Sequence, residues 1–295
     1  QKISKNNPSA KNLNDDVFFD KKNKLVVSVD TYNEGIHFPN FKHPSLIIKK
    51  IIRSSISDLI AKGVKPEFYF ISGSGNKNHF TKKNLNLISQ SLKREQKKYN
   101  LKLSGGDTTN SNKVSFSITT IGFSNNIIER NKARLNDDIY VTGNIGDSFL
   151  GLKAIKNNIK INPKLKKYFI NQFYCPNLPY KICKFIYKFA NTSIDISDGL
   201  VSDMNKLINK QKLSFEIDFN KIPISNSAKV ILSKYPKLKQ LIINGGDDYE
   251  LLFTGKKGLD SNKNITEIGK MKKGRNINIT DFDDITNLDG YKHKF

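Results

Sequence analysis

The sequence predicts an α/β or α+β protein of two domains, and three observations predict it. Short β-branched runs alternate with apolar stripes of helical spacing in both halves of the chain. A length of 295 residues suits two domains of ordinary size. A polar, charged stretch from Glu129 to Asp138 separates the halves, which places the boundary between domains 1–133 and 134–295.

Leu25-Val26-Val27-Ser28-Val29-Asp30 reads as a buried strand that delivers Asp30 at its tip. Pro44 then opens a helix whose stripe Ile47, Ile48, Ile51, Ile52, Ile56, Leu59 and Ile60 runs to a stop at Gly63. At about 100° per residue Asp58 falls at the edge of that stripe, an odd place for a lone carboxylate. Val114, Phe116 and Ile118 alternate as a half-buried strand, and Ile139 to Thr142 begins another. The second half offers strands at Ser193–Ile196, Phe215–Phe219 and Tyr249–Thr254, a helix from Leu200 to about Lys210, and a polar tail. Ser57-Asp58-Leu59 and Ser104-Gly105-Gly106-Asp107 are echoed by Ser197-Asp198-Gly199 and Asn244-Gly245-Gly246-Asp247, which leaves an internal duplication open.

Lys plus Arg total 50 against 27 acidic residues, a net charge of +23 that proposes a polyanion as partner. Only five are arginines, however, and phosphate and base-edge readout favours Arg, so the excess reads as a solvated lysine surface and argues against nucleic acid. No apolar run approaches the roughly 18 residues of a membrane helix. Gln1 to Ser9 lacks the apolar core of a signal peptide, and the missing initiator Met suggests a trimmed or incomplete start. Cys175 and Cys183, at a spacing that fits no zinc or redox motif, suit a reducing, cytoplasmic setting.

Acidic residues gather at special places: Asp15-Asp16, Asp30, Asp58, Asp107, Asp195 with Asp198, and Asp247-Asp248. The windows Ile56–Ile60, Ser104–Thr109, Ser193–Asp203 and Ile243–Leu252 hold no lysine in a lysine-rich chain, as a hard-cation site with oxygen ligands requires. Each motif also has an ordinary reading. Gly-Gly-Asp after a strand is a tight turn, Asp198 an N-cap, and Asp58 a satisfied helix-face charge. A phosphate loop of the G-x-x-x-x-G-K-[ST] type, H-E-x-x-H and G-x-G-x-x-G are all missing, and Gly143-Asn144-Ile145-Gly146-Asp147-Ser148 reads as a plain strand-to-helix connection.

In order, Asn14-Asp15-Asp16, Ser28-Val29-Asp30, His37-Phe38, Ser57-Asp58-Leu59, Ser104-Gly105-Gly106-Asp107-Thr108-Thr109, Asp195-Ile196-Ser197-Asp198-Gly199-Leu200 and Gly245-Gly246-Asp247-Asp248-Tyr249-Glu250-Leu251 resemble the thiamine-monophosphate kinase family of the aminoimidazole ribotide synthetase-like superfamily. The resemblance implies a two-domain fold of that superfamily, with an N-terminal sheet domain that pairs in a homodimer and a C-terminal α/β domain. It implies phosphoryl transfer from ATP to thiamine monophosphate, the last step towards thiamine diphosphate, with several Mg²⁺ ions. Two like unit charges at 4 Å cost about 4 kcal/mol at an effective dielectric of 20, and doubly charged phosphates roughly 16 kcal/mol, which makes the many carboxylates intelligible as cation ligands. The family pattern maps Asp16, Ser28, Asp30, Asp58, Asp107, Asp195 and Asp198 onto metal ligands. It maps Gly106, Asp107, Arg130 and Ser197 onto the nucleotide, and His37, Asp247 and Tyr291 onto thiamine phosphate. No protein nucleophile is implied.

Departures from the family pattern are local. Leu13-Asn14 stand where glycines usually precede the paired aspartates, with Asn14 expected to take the left-handed backbone. Val29 replaces a hydroxyl residue, Asp247 stands where Glu is common, and the segment ahead of Asp15 is short. Alternatives are another superfamily enzyme such as a purine-pathway synthetase, a degenerate nucleotide-binding relative, or a basic polyanion-binding protein. The first 30 residues lack the cysteine a selenophosphate synthetase needs, and Phe295 ends a chain that a carbamoyl-dehydrating relative would end in cysteine.

Overall fold

The β-branched run after Lys24 forms the predicted strand. The structure, a computed structural model, describes residue 4 and residues 6–262, 264–275 and 277–280. It divides between Ile127 and Ile128 into two units.

In the first unit, β1 (Phe18–Asp20) and β2 (Leu25–Asn33) are followed by α1 (Pro44–Ala61), β3 (Pro66–Gly75), α2 (Lys82–Tyr99), β4 (Lys102–Asn110) and β5 (Ser115–Phe123). The strands form one sheet in the order β1-β2-β5-β3-β4, with β3 and β4 parallel and the other pairs antiparallel. The isoleucine stripe of α1 is fully buried. Pro44 stands in its first turn, and Gly63, at φ +74°, turns the chain away after it. The helix α2 was not apparent in the sequence, because its faces carry few apolar residues; a buried Arg53–Glu95 pair, bonded at 2.8 and 3.1 Å, links it to α1.

The second unit contains β6 (Asp138–Thr142), α3 (Asp147–Ile155), α4 (Pro163–Tyr174), α5 (Cys183–Phe189), β7 (Ala190–Asp195), α6 (Leu200–Leu207), β8 (Leu213–Asp218), α7 (Asn226–Lys234), α8 (Lys239–Ile242), β9 (Leu251–Gly255), β10 (Ile265–Lys273) and β11 (Ile277–Thr280). Its sheet runs β11-β8-β10-β6-β9-β7, and every residue of the central β6 is buried. Ile139, Val141, Ile194, Leu252, Ile268 and Met271 from this sheet join the helices in one core.

Three expectations need correction. The polar tail contains two strands: Ile265, Ile268 and Met271 are buried three residues apart because a bulge between Glu267 and Gly269 shifts the register, which hides the two-residue period. The strand expected from Tyr249 starts at Leu251, because Asp247 and Tyr249 hold φ of +64° and +53° and continue the turn. Gly105-Gly106-Asp107 lies inside β4 and is not a turn, whereas its echo Gly245-Gly246-Asp247 is one, so the two copies differ in local structure.

Candidate active site

In the first unit Ser28, Asp30 and Tyr32 alternate along β2 and share the face covered by α1. Ser28 Oγ donates to Asp58 Oδ2 at 2.5 Å, so the carboxylate at the edge of the α1 stripe is turned to the sheet. The Tyr32 hydroxyl lies 2.9 Å from Ser55 Oγ, and its ionisation is pushed well above the usual range, first by burial, then by the charge of Asp30 and, less, that of Asp58. Both carboxylates therefore act on one buried hydroxyl. Val29 points to the opposite face, 64% exposed, so its side chain takes no part in this group.

His37 follows β2 on a loop. Its Nδ1 accepts the Asn33 backbone N–H at 2.9 Å, which leaves the proton of the neutral ring on Nε2. Glu34 braces the same loop, accepting the Phe41 N–H at 3.1 Å and the Val114 N–H at 3.2 Å.

Asp16 is placed differently. It lies before β1, where Lys62 Nζ bridges Asp15 Oδ1 at 2.7 Å and Asp16 Oδ2 at 2.5 Å. The left-handed backbone expected at Asn14 falls instead on Lys11, Asn12 and Leu13, at φ +50°, +56° and +54°, while Asn14 is at −120°. Asp107 is exposed on the edge strand β4. The register aligns it with Ser72, Ser117 and Thr31, and aligns Asp30 with Ile118, Ile71 and Gly106, so Asp107 and Asp30 occupy opposite faces of the sheet. A side chain on Gly106 would place its Cβ 1.8 Å from the Ile71 carbonyl oxygen, which gives this glycine a structural role.

In the second unit two loops form one support. The Asp247 N–H donates to Ser197 O, Leu200 N–H to Ile243 O, and Tyr249 N–H to Ile196 O, at 2.8 to 2.9 Å. The loops approach as closely as glycine permits: a Cβ on Gly199 would lie 2.6 Å from the Asn244 backbone, and one on Gly246 2.6 Å from Ser197 O. This support carries Asp195, buried at the end of β7, half-buried Ser197 and Asp198, and Asp247, whose Oδ1 accepts the Tyr249 hydroxyl at 3.0 Å. Asp198 is paired with Lys206. Arg130 lies half-buried near the start of this unit, and Tyr291 lies outside the described residues.

Sequence reasoning missed the residues that hold these loops. Asp203 Oδ2 accepts the N–H groups of Ser197, Asp198 and Gly199 at 2.9, 2.9 and 3.2 Å, and its Oδ1 takes Lys206 Nζ at 2.7 Å. An acid in the first turn of α6, four residues beyond Gly199, is the available signal, since such a residue reaches back to free N–H groups. Asp248 accepts from Gly146 N–H at 2.8 Å and Ser148 N–H at 3.3 Å. The 143–148 turn thus spends these donors on an internal carboxylate, as a plain connection would. Glu250 Oε2 accepts the Thr142 hydroxyl at 2.5 Å, and burial, with the Asp147 charge a lesser influence, pushes its carboxyl up to about 8.

Among the described residues no three His, Cys, Asp or Glu side chains come together as a metal-holding group. Ser28, Asp30 and Asp58 nevertheless form an all-oxygen set of the kind a hard divalent cation takes, with Ser28 and Asp58 already in contact. Asp16 does not fit that set, because its carboxylate is held by a buried ammonium.

The two α/β units carry their acids on strand ends and glycine-bounded loops, and residues 14–124, most of the first unit, match the family model for the AIR synthase related protein N-terminal domain, which sets the class of fold. The thiamine-monophosphate kinase of Aquifex aeolicus is 32% identical over 86% of this chain and 83% of its own, and that of Buchnera aphidicola subsp. Acyrthosiphon pisum 35% over 88% and 79%. The solved complex of AaThiL with AMPPCP and TMP superposes with a TM-score of 0.88 at 30% identity, covering 97% of this chain and 94% of that one. The chain belongs to the thiamine-monophosphate kinase family and is a kinase.

Proposed function

We propose that the chain transfers the γ-phosphoryl group of ATP to thiamine monophosphate, giving thiamine diphosphate and ADP. The observation that carries this reading is the likeness, along nearly the whole chain, to a kinase solved with AMPPCP and TMP. A phosphate oxygen of the acceptor bonds to the γ-phosphorus as the bond to the β,γ-bridging oxygen breaks, and ADP leaves with that electron pair. The acceptor oxygen is already anionic near neutral pH, so neither a protein nucleophile nor a strong base is needed, and positioning supplies the rate.

Ser28, Asp30, Asp58, Asp195 and Asp198 would hold Mg²⁺, which when bound neutralises phosphate charge and aligns the two phosphate chains. His37, with its proton on Nε2, would donate to the acceptor phosphate, and the family pattern assigns Asp247 and Tyr291 to the cationic thiazolium. Gly106, Asp107, Arg130 and Ser197 belong to the nucleotide. The first unit supplies the metal and nucleotide positions and the dimer contact, through the outer sheet face where Val29 and Phe70 are exposed on the side that carries Asp107. The second unit supplies nucleotide and substrate positions of its own. The sequence has only two cysteines, Cys175 and Cys183, both buried, and so sparing a use of cysteine suits the reducing cytoplasm. Among the described residues no helix is long and apolar enough to cross a membrane.

The test is incubation of the chain with ATP, Mg²⁺ and thiamine monophosphate, with EDTA and unphosphorylated thiamine as controls. Thiamine diphosphate and ADP should form one to one and be abolished by EDTA. ADP without thiamine diphosphate would point to another acceptor, and no product despite Mg·ATP binding would point to a degenerate relative.

A further inference from the structure

Lys62 is a lysine with no exposed surface at the end of a helix that carries a candidate cation ligand. Its side chain is 0% exposed, and those of its partners Asp15 and Asp16 are 4% and 8% exposed. One ammonium bridges both carboxylates, and Asp15 Oδ1 also accepts the Asp16 N–H at 2.9 Å. The backbone on both sides is anchored. The Lys62 N–H donates to the carbonyls of Asp58 and Leu59, Leu59 and Val64 are in a buried cluster, and Val17, the residue after Asp16, is in the same cluster. Lys206 on Asp198 provides the contrast: those side chains are 34% and 31% exposed, so that ammonium can swing into water. Lys62 has no such exit.

We propose that in this chain the Lys62 ammonium takes the place of a divalent cation at the Asp15–Asp16 pair, so that Asp16 is ordered by an internal charge and is not a metal ligand. This rests on the metal-assisted reading above and departs from it at one position. Three physical features support it. A cation on the Asp16 carboxylate would lie beside a fixed positive charge. It would have to displace a buried ammonium from carboxylates that keep little contact with water, and Mg²⁺ sheds its own water reluctantly. The ion triplet also anchors the chain just after a left-handed run, Lys11-Asn12-Leu13, whose last residue stands where a glycine is usual. A buried pair of carboxylates without a cation would repel, and here the helix end supplies that cation.

The number of bound Mn²⁺ ions, counted by electron paramagnetic resonance on the full chain with AMPPCP present, tests the proposal independently of turnover. Asp16→Asn should bind as many Mn²⁺ as the native chain, and Lys62→Met should bind one more. Loss of one Mn²⁺ in Asp16→Asn, or an unchanged count in Lys62→Met, overturns the proposal and leaves the metal-assisted reading standing. A native chain that binds no Mn²⁺ overturns both. Where either variant fails to fold, amide exchange at Asp16 and Val17 in the native chain decides: protection unchanged by Mn²⁺ supports the fixed cation, and protection gained with Mn²⁺ overturns it.

Discussion

Asp58 and Asp198 are two proposed metal ligands whose side chains each meet a named neighbour, Ser28 in one unit and Lys206 in the other. Replacing either with Asn keeps shape and hydrogen-bonding capacity but removes the charge. Asp58→Asn and Asp198→Asn should each lower kcat by at least about a thousandfold, at the upper end of what one preorganised electrostatic contact supplies. Circular dichroism and a Tm within a few degrees of the parent would show the fold intact, and near-normal turnover in both variants would refute a metal role for these residues. Asp203 differs in kind. It is not itself an expected ligand, yet three backbone N–H groups of the Ser197–Gly199 loop, two of them from expected site residues, depend on it.

Glycine decides the placement of two elements. On β4 the approach of Gly106 to Ile71 O leaves no room for a methyl group, although Gly106 has an ordinary strand partner there. Gly106→Ala should therefore part β3 and β4 around Ile71 and Ser72 and destabilise the first unit by roughly 2 to 4 kcal/mol, measured as a shift in urea midpoint. Wild-type stability in that variant would mean that the strand pairing is looser than the structure has it. The paired loops 196–200 and 243–249 are a second such element, where backbone bonds and glycine contacts make one rigid platform from two distant motifs. The 143–148 turn, which from its glycines resembles a phosphate cradle, is instead filled by Asp248.

The molecule as a whole carries a formal charge of +23, yet several of its acids are buried in the second unit. Burial raises the carboxyl of Glu250 to about 8, holds Asp248 well above the usual carboxylate range, and raises Asp147 against the pull of its bonds to Ser225 and Tyr168. The sign of the pH effect follows. Between about 4.5 and 8 the folded state keeps a proton on Glu250 that the unfolded chain has released, so stability falls as pH rises through this window, with a slope of up to about 1.4 kcal/mol per pH unit for that group. Thermal melts from pH 5.5 to 8 should show Tm declining, and Glu250→Gln should flatten the decline. An unchanged slope in the variant would mean that Glu250 is ionised in the fold.

Much of this was legible in the residues alone. Runs such as Leu25–Asp30 and the isoleucine stripe of α1 announce their elements because apolar periodicity is a local property that burial enforces. The acidic motifs point to their family because metal and phosphate chemistry needs oxygen ligands, and their order along the chain follows the family pattern. The strands of the 265–280 region and the helix α2 escaped notice because a bulge and a polar surface blur the period. Other facts were settled by packing across distance. Lys62 is one of many lysines until α1 and the segment before β1 bring it against Asp15 and Asp16. Asp107 is one more acid in a motif until strand register sets it on the face opposite Asp30. Local pattern names the element and the candidate ligands, but which charge meets which depends on contacts between residues far apart in the chain, and those form only in the folded protein.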